Sequence, residues 1–193
     1  MDFLHKIEAV IVLDNEGQRL LAKYYPTTGE PSDKAAGGAV SAASSRWGSF
    51  DKQRKLETSL NAKVRDPKRP SSSDVELFVE DGHVAAVFAE AEVTFIVVGS
   101  ADENEFVLLS VLQCFMESLQ TLLKSTSPGK RLLLEKYDTV LLVLDEMIDD
   151  GIILEQASGF VVGDVTPFEV ESSTDGARKV MTRVQKLITQ SGI

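Results

Sequence analysis

The stretch Lys6 to Tyr25, KIEAVIVLDNEGQRLLAKYY, decides how this chain folds. Two apolar runs flank a short polar segment in which Asp14, Asn15 and Gly17 carry the chemistry of a chain reversal. Asp and Asn side chains bond back to nearby backbone, and glycine takes positive φ without a Cβ penalty. The reading is an opening β-hairpin. Within its first strand Ala9 to Leu13 is apolar without interruption, the mark of a strand covered on both faces. Helices are therefore expected on each side of the sheet that this hairpin begins.

At 193 residues the chain is long enough for one domain with a sound core. Its 43% apolar and 26% charged residues are ordinary for a globular protein and exclude wholesale disorder. A net charge of −10 argues against general nucleic-acid binding, since phosphates would repel the chain. Between positions 46 and 69 the balance reverses: Arg46, Lys52, Arg54, Lys55, Lys63, Arg65, Lys68 and Arg69 face only Asp51, Glu57 and Asp66. A solvated helix face is the plain reading, with an acidic partner or lipid surface as the alternative. Cys114 is the single cysteine, so no intrachain disulfide is possible and a reducing, cytoplasmic compartment is expected. No apolar run reaches the eighteen or so residues of a membrane span, and MDFLHKIEA lacks a signal-peptide pattern. Any membrane association is expected to be borrowed from partners.

After the hairpin, residues 26–49 are rich in Gly, Ala, Ser and Thr and read as a flexible insertion. Leu56, Leu60 and Val64 predict a short helix over 51–64, with Trp47 and Phe50 anchoring its start. Val75 to Val79, Val84 to Ala89 and Val93 to Val98 read as three strands joined by links too short for anything but an antiparallel meander. The acidic segment 101–105 opens a long helix lined by Leu108, Leu112, Phe115, Leu119 and Leu122, which Ser127-Pro128-Gly129 breaks. A second helix is expected over 131–147, then an irregular acidic stretch over 156–173 and a final amphipathic helix over 177–188. The order predicts an α/β sandwich with a five-stranded, mixed or mainly antiparallel sheet between helices.

Enzyme chemistry has little to stand on. The chain holds only His5, His83 and one cysteine, which cannot make a Cys/His zinc set, so no catalytic residue, cofactor or metal is expected. Pro128-Gly129-Lys130 has no glycine at the spacing of a phosphate loop. Asp145, Glu146, Asp149 and Asp150 lack EF-hand spacing and read as a solvated or partner-facing helix end, while Cys114 falls in the core stripe. The segment 131–147 is more telling: Leu133, Tyr137, Val140, Leu144 and Met147 form one stripe, yet Leu141, Leu142 and Val143 make it apolar nearly all round. Such a helix is buried on more than one side, by the final helix or by a permanent partner, and these three residues are the candidate partner interface.

Three collinear segments carry a family resemblance. AVIVLDNEGQRLLAKYY resembles the opening hairpin of the zeta chains of the COPI coatomer, which are related to the small sigma chains of clathrin adaptors. FIVVGSADENEFVLLSVLQCFMESL is similar to their fifth strand and second helix, and LLVLDEMIDDGIILE to the end of their third helix. The resemblance implies a longin-like (SNARE-like) domain over 1–155, followed at 156–193 by an acidic linker and a C-terminal amphipathic helix. It favours a permanent partner over cover by the chain itself. It further implies a non-catalytic coat subunit seated in the trunk of the gamma subunit, in a core with beta and delta subunits. An Arf-type GTPase recruits that assembly to the cytosolic face of Golgi membranes for retrograde and intra-Golgi traffic. No homo-oligomer is expected. A free-standing longin-type regulator, or a clathrin-adaptor sigma chain, is the alternative.

Overall fold

The structure is a computed structural model that describes residues 6–25, 47–66, 74–90 and 92–172, with side chains up to 166. In chain order the elements are β1 (Ile7–Asp14), β2 (Arg19–Tyr24), α1 (Phe50–Val64), β3 (Glu76–Glu80), β4 (His83–Ala89) and β5 (Val93–Ser100). Then follow α2 (Glu105–Leu123), α3 (Lys130–Glu135), α4 (Tyr137–Met147), β6 (Ile148–Asp149), β7 (Ile152–Ile153) and α5 (Ser158–Ser172). The hairpin forms as its residues dictate. Asp14 Oδ1 accepts from the backbone N–H of Glu16 at 2.9 Å and of Gln18 at 2.8 Å, and Gly17 sits at φ 77°. Two further reversals use the same chemistry: Asp81-Gly82 and Asp150-Gly151 both take positive φ at consecutive positions, the requirement of a tight hairpin turn.

The five-stranded sheet runs β2-β1-β5-β4-β3, and every neighbouring pair is antiparallel. The fold is the longin-like α/β sandwich expected from the sequence, with the choice between mixed and antiparallel settled for the latter. β1 lies between β2 and β5, and all eight of its residues are buried. On one face Val10, Val12, Val84, Ala86, Phe95 and Val97 pack against Leu108, Leu112, Phe115 and Leu119 of α2, with Val140, Val143 and Leu144 of α4 joining the same core. On the other, Ala9, Ile11, Leu13, Ala85, Val87, Ile96 and Val98 meet Leu56 and Leu60 of α1 together with Trp47. By length and composition α2 could cross a membrane, but here it is a core helix, with eight of its residues buried.

Three expectations need correction. The helix expected over 131–147 is two, α3 and α4, because Lys136 leaves helical geometry at φ −117°, ψ 33°. The stretch 156–173, expected to be irregular, is α5 over most of its length. It forms because Val161 and Val165, four residues apart, are buried in the core shared with α2 and α4. Phe50 does not anchor α1 from within, being 62% exposed; its ring instead carries the Arg19 guanidinium 4.6 Å from its centroid. Most of the insertion (26–46) and the helix expected over 177–188 lie outside the described residues.

Candidate partner interface

Polar anchors fix α3 against the hairpin. Lys130 Nζ donates to Asp14 Oδ2 at 2.8 Å, the Lys130 N–H donates to Glu92 Oε2 at 3.3 Å, and the Ser127 hydroxyl bonds to Glu90. Burial pushes the Asp14 carboxyl up, but the Lys130 ammonium and two backbone N–H donors outweigh it and hold the group below its ordinary 3.8. Glu80 is held low as well, chiefly by Lys63 and Ser59. A carboxyl depressed on folding stabilises the protein above its unfolded pKa and loses that contribution as pH falls through the folded value. Unfolding free energy is therefore expected to decline below about pH 4, and Asp14→Asn should flatten part of the slope in urea titrations between about pH 2 and 6.

Among the described residues, four cations of the basic run, Arg54, Lys55, Lys63 and Arg65, are paired within the chain. Glu57, fully buried, accepts from Arg19 Nε at 2.6 Å, from the Tyr24 hydroxyl at 2.9 Å and from Arg54 Nη1 at 3.2 Å. Lys63 pairs with Glu80, Lys55 with Asp81 at 3.3 Å, and Arg65 Nη2 donates to the Glu90 carbonyl. Burial first, and the Glu57 carboxylate second, push the Tyr24 phenol far above its usual range. Neither a lipid nor an acidic partner is needed to explain these cations. Arg46, Lys68 and Arg69 lie outside the described residues.

Deeper on the same face sits a cluster that the sequence did not announce. A register shift between Ile7 and Ala9 is a β-bulge that brings Glu8 to the α1 side of the sheet. There its Oε2 lies 2.6 Å from His83 Nδ1 and accepts from Trp47 Nε1 at 3.3 Å, while the Trp47 and His83 rings meet at a tilt of 43° with centroids 4.7 Å apart. All three residues are buried, so the cluster anchors Trp47 against the sheet. His5 lies outside the described residues. Tyr25 buries a hydroxyl with no partner among the described residues. Tyr25→Phe is expected to leave stability unchanged or raise it by up to about 1 kcal/mol in urea unfolding, because an unsatisfied buried group is removed.

The three interface candidates fare differently. Val143 is fully buried in the core it shares with α5, so it belongs to the domain's interior. Leu142 is half-buried against that core, and Leu141 alone of the three is exposed. The apolar surplus of 131–147 is thus partly covered from within, by α5, a helix where composition predicts irregular chain. Leu134 is exposed as well, and so is Tyr137, which corrects its expected place in the core stripe with Leu133, Val140, Leu144 and Met147. An open concavity of about 610 Å3 lined by Asn15, Glu92, Lys130, Arg131, Leu134 and Glu135 adjoins them. Asp145 pairs with Lys23 at 2.5 Å, and no group of three or more His, Cys, Asp or Glu suited to a metal ion occurs among the described residues. Cys114 is buried in the core stripe, and burial raises its thiol pKa.

A five-stranded antiparallel sheet closed by helices on both faces describes a small chain of the longin-like α/β class. Residues 6–171 match the family model for the clathrin adaptor complex small chain, and the chain belongs to that family. Within it the kinship is to the coatomer zeta subunits. It is 29% identical to coatomer subunit zeta-1 of Oryza sativa subsp. japonica over 189 residues, covering 98% of this chain and 94% of that one. Coatomer subunit zeta of Saccharomyces cerevisiae is 31% identical, over 84% of this chain and 78% of its own length. Coatomer subunit zeta-2 of Mus musculus is 36% identical over 79% of this chain, a match spanning 62% of the mouse protein. Among solved structures, a chain of a homology model of the full-length AP-3 complex in a stretched open conformation superposes with TM-score 0.54 at 21% identity. That match covers 89% of this chain and 98% of the other, and it speaks for the fold.

Proposed function

We propose that the chain is a non-catalytic structural subunit of the COPI vesicle coat, packing into the trunk of the gamma subunit. In this reading it stands in one core with beta and delta subunits and reaches the cytosolic face of Golgi membranes through that assembly and its Arf-type GTPase. It serves Golgi-to-ER retrograde and intra-Golgi transport. The observation that carries the reading is kinship to zeta subunits over nearly the whole chain, 98% of it in the rice comparison. Leu141 is kept as an interface residue, Val143 is assigned to the interior, and α5 is counted with the domain that meets the partner.

Affinity purification of the tagged full chain, with its stoichiometric companions identified by mass spectrometry, tests the proposal. Coatomer gamma, beta and delta subunits in equal amounts are the expected result. Recovery of the chain alone, or with a GTPase in substoichiometric amounts, would overturn it in favour of a free-standing longin-type regulator.

A further inference from the structure

Between α2 and α3 the chain reads Ser127-Pro128-Gly129-Lys130, a hydroxyl followed at once by proline and three positions on by a cation. Of the six prolines in the sequence, only Pro128 and Pro167 follow a serine or threonine. The second pair is unlike the first: Thr166 sits within α5, its hydroxyl donates to the Val162 carbonyl at 2.6 Å, and Glu169 stands where the cation would be. Proline has no N–H, so an enzyme cleft with no acceptor at that point admits it and leaves any other residue with a buried, unsatisfied donor. Ser127 itself is exposed.

We propose that Ser127 is a phosphorylation site for a proline-directed protein kinase that also reads the cation of Lys130, and that the phosphate unlatches the α2–α3 loop from the sheet. The γ-phosphoryl group of ATP passes to Ser127 Oγ: the bond from phosphorus to the β–γ bridging oxygen breaks, the bond to Oγ forms, ADP leaves, and the hydroxyl proton goes to the kinase's base. Two carboxylates of the β4–β5 link hold this loop down. The Ser127 hydroxyl bonds to Glu90, and the Lys130 N–H donates to Glu92 Oε2 at 3.3 Å. Pro128 is buried where it stands, so the kinase reads the segment when it lifts from that link. Phosphate then traps the lifted state. It brings a charge of about −1.5 to −2 at pH 7 to a place shaped by Glu90 and Glu92 for a neutral hydroxyl and an N–H. The cations at hand are engaged: Lys130 pairs with Asp14, Arg131 with Glu135, and Arg65 donates to the Glu90 carbonyl and the Thr94 hydroxyl. Lys124 caps α2 at the head of the same loop, so a phosphate paired with it does nothing to fasten that loop to the sheet. Glu92, Lys130 and Arg131 line the 610 Å3 concavity, so the event reshapes that surface.

The test incubates the purified full chain with ATP and a cyclin-dependent kinase, and locates the phosphate by peptide mass spectrometry. Phosphate on Ser127 and none on Thr166 is the expected result. Pro128→Ala should lower the initial rate by about tenfold or more, because an N–H returns to the position. Glu90→Ala, which loosens the loop and leaves the motif whole, should raise it by about threefold or more. In the phosphorylated chain, hydrogen exchange over 126–134 should quicken by about tenfold or more. Ser127→Ala loses the hydroxyl bond without adding charge and should quicken it less. Phosphate found only elsewhere, or on Ser127 only after the chain is unfolded in urea, overturns the site. Exchange that the phosphate leaves unchanged or slows, or that Ser127→Ala quickens equally, overturns the unlatching. The site and exchange readouts use the unaltered chain, so both stand even where a variant folds poorly.

Discussion

Val161→Asp is expected to cost at least about 4 kcal/mol of stability, because a carboxylate placed there has neither water nor a partner. Val161 is fully buried, as is Val165 one turn further on, and together they close the core that α5 shares with α2 and α4. Far-UV circular dichroism should show loss of helix, and hydrogen exchange should accelerate along α2 and α4 as well as α5. The new carboxyl would be driven upward by burial, so the deficit should shrink as pH falls and the group is protonated. Phe160→Asp is the matched control: the neighbouring side chain is 67% exposed, and its replacement should stay within about 0.5 kcal/mol. An equal loss from both variants would mean that α5 is not seated as described.

Phe115→Ala is expected to destabilise the protein by about 3–5 kcal/mol, the sum of lost burial and the void left behind. Phe115 is among the largest fully buried side chains, and it meets Phe95 of β5 edge-on with centroids 6.1 Å apart. It therefore joins α2 to the middle of the sheet, where neighbours on both sides cannot collapse into the space. For a domain of this size the melting temperature should fall by roughly 10 °C. Phe115→Leu, which keeps much of the volume, should lose less than half as much. Urea unfolding with an unchanged slope would confirm that the effect lies in packing rather than in the cooperativity of the transition.

The hairpins and the strands were legible in the sequence because their chemistry is local. Asp14 and Gly17, and again Asp81 and Gly82, determine a reversal whatever surrounds them. The doubly covered β1 was equally plain, since alternation fails only where both faces are dry. What escaped was set by contacts distant in the chain. α5 contains Gly159, Gly163, Pro167 and several β-branched residues, a composition that resists helix on its own. Only the burial of Val161 and Val165 overrides that preference. Without α5, periodicity alone puts Val143 in the candidate interface and Tyr137 in the core stripe, and it gives no signal at Leu134. The Glu8, His83 and Trp47 cluster was equally hidden, because Glu8 and Trp47 stand 39 positions apart and meet through a bulge that periodicity does not reveal.

The two faces of the sheet are fastened by different physics. α1 is seated by few apolar residues and by a set of charge pairs to the sheet, Arg19 on Glu57, Lys63 on Glu80 and Lys55 on Asp81. The opposite layer is held mainly by aliphatic and aromatic contact, with Lys130 on Asp14 and Lys23 on Asp145 as its charge pairs. Concentrated salt therefore weakens the accessible pairs of α1, Lys55 on Asp81 and Lys63 on Glu80, while chilling slackens the α2–α4–α5 side, whose cohesion fades in the cold. Brine and frost would unfasten the same molecule from opposite sides.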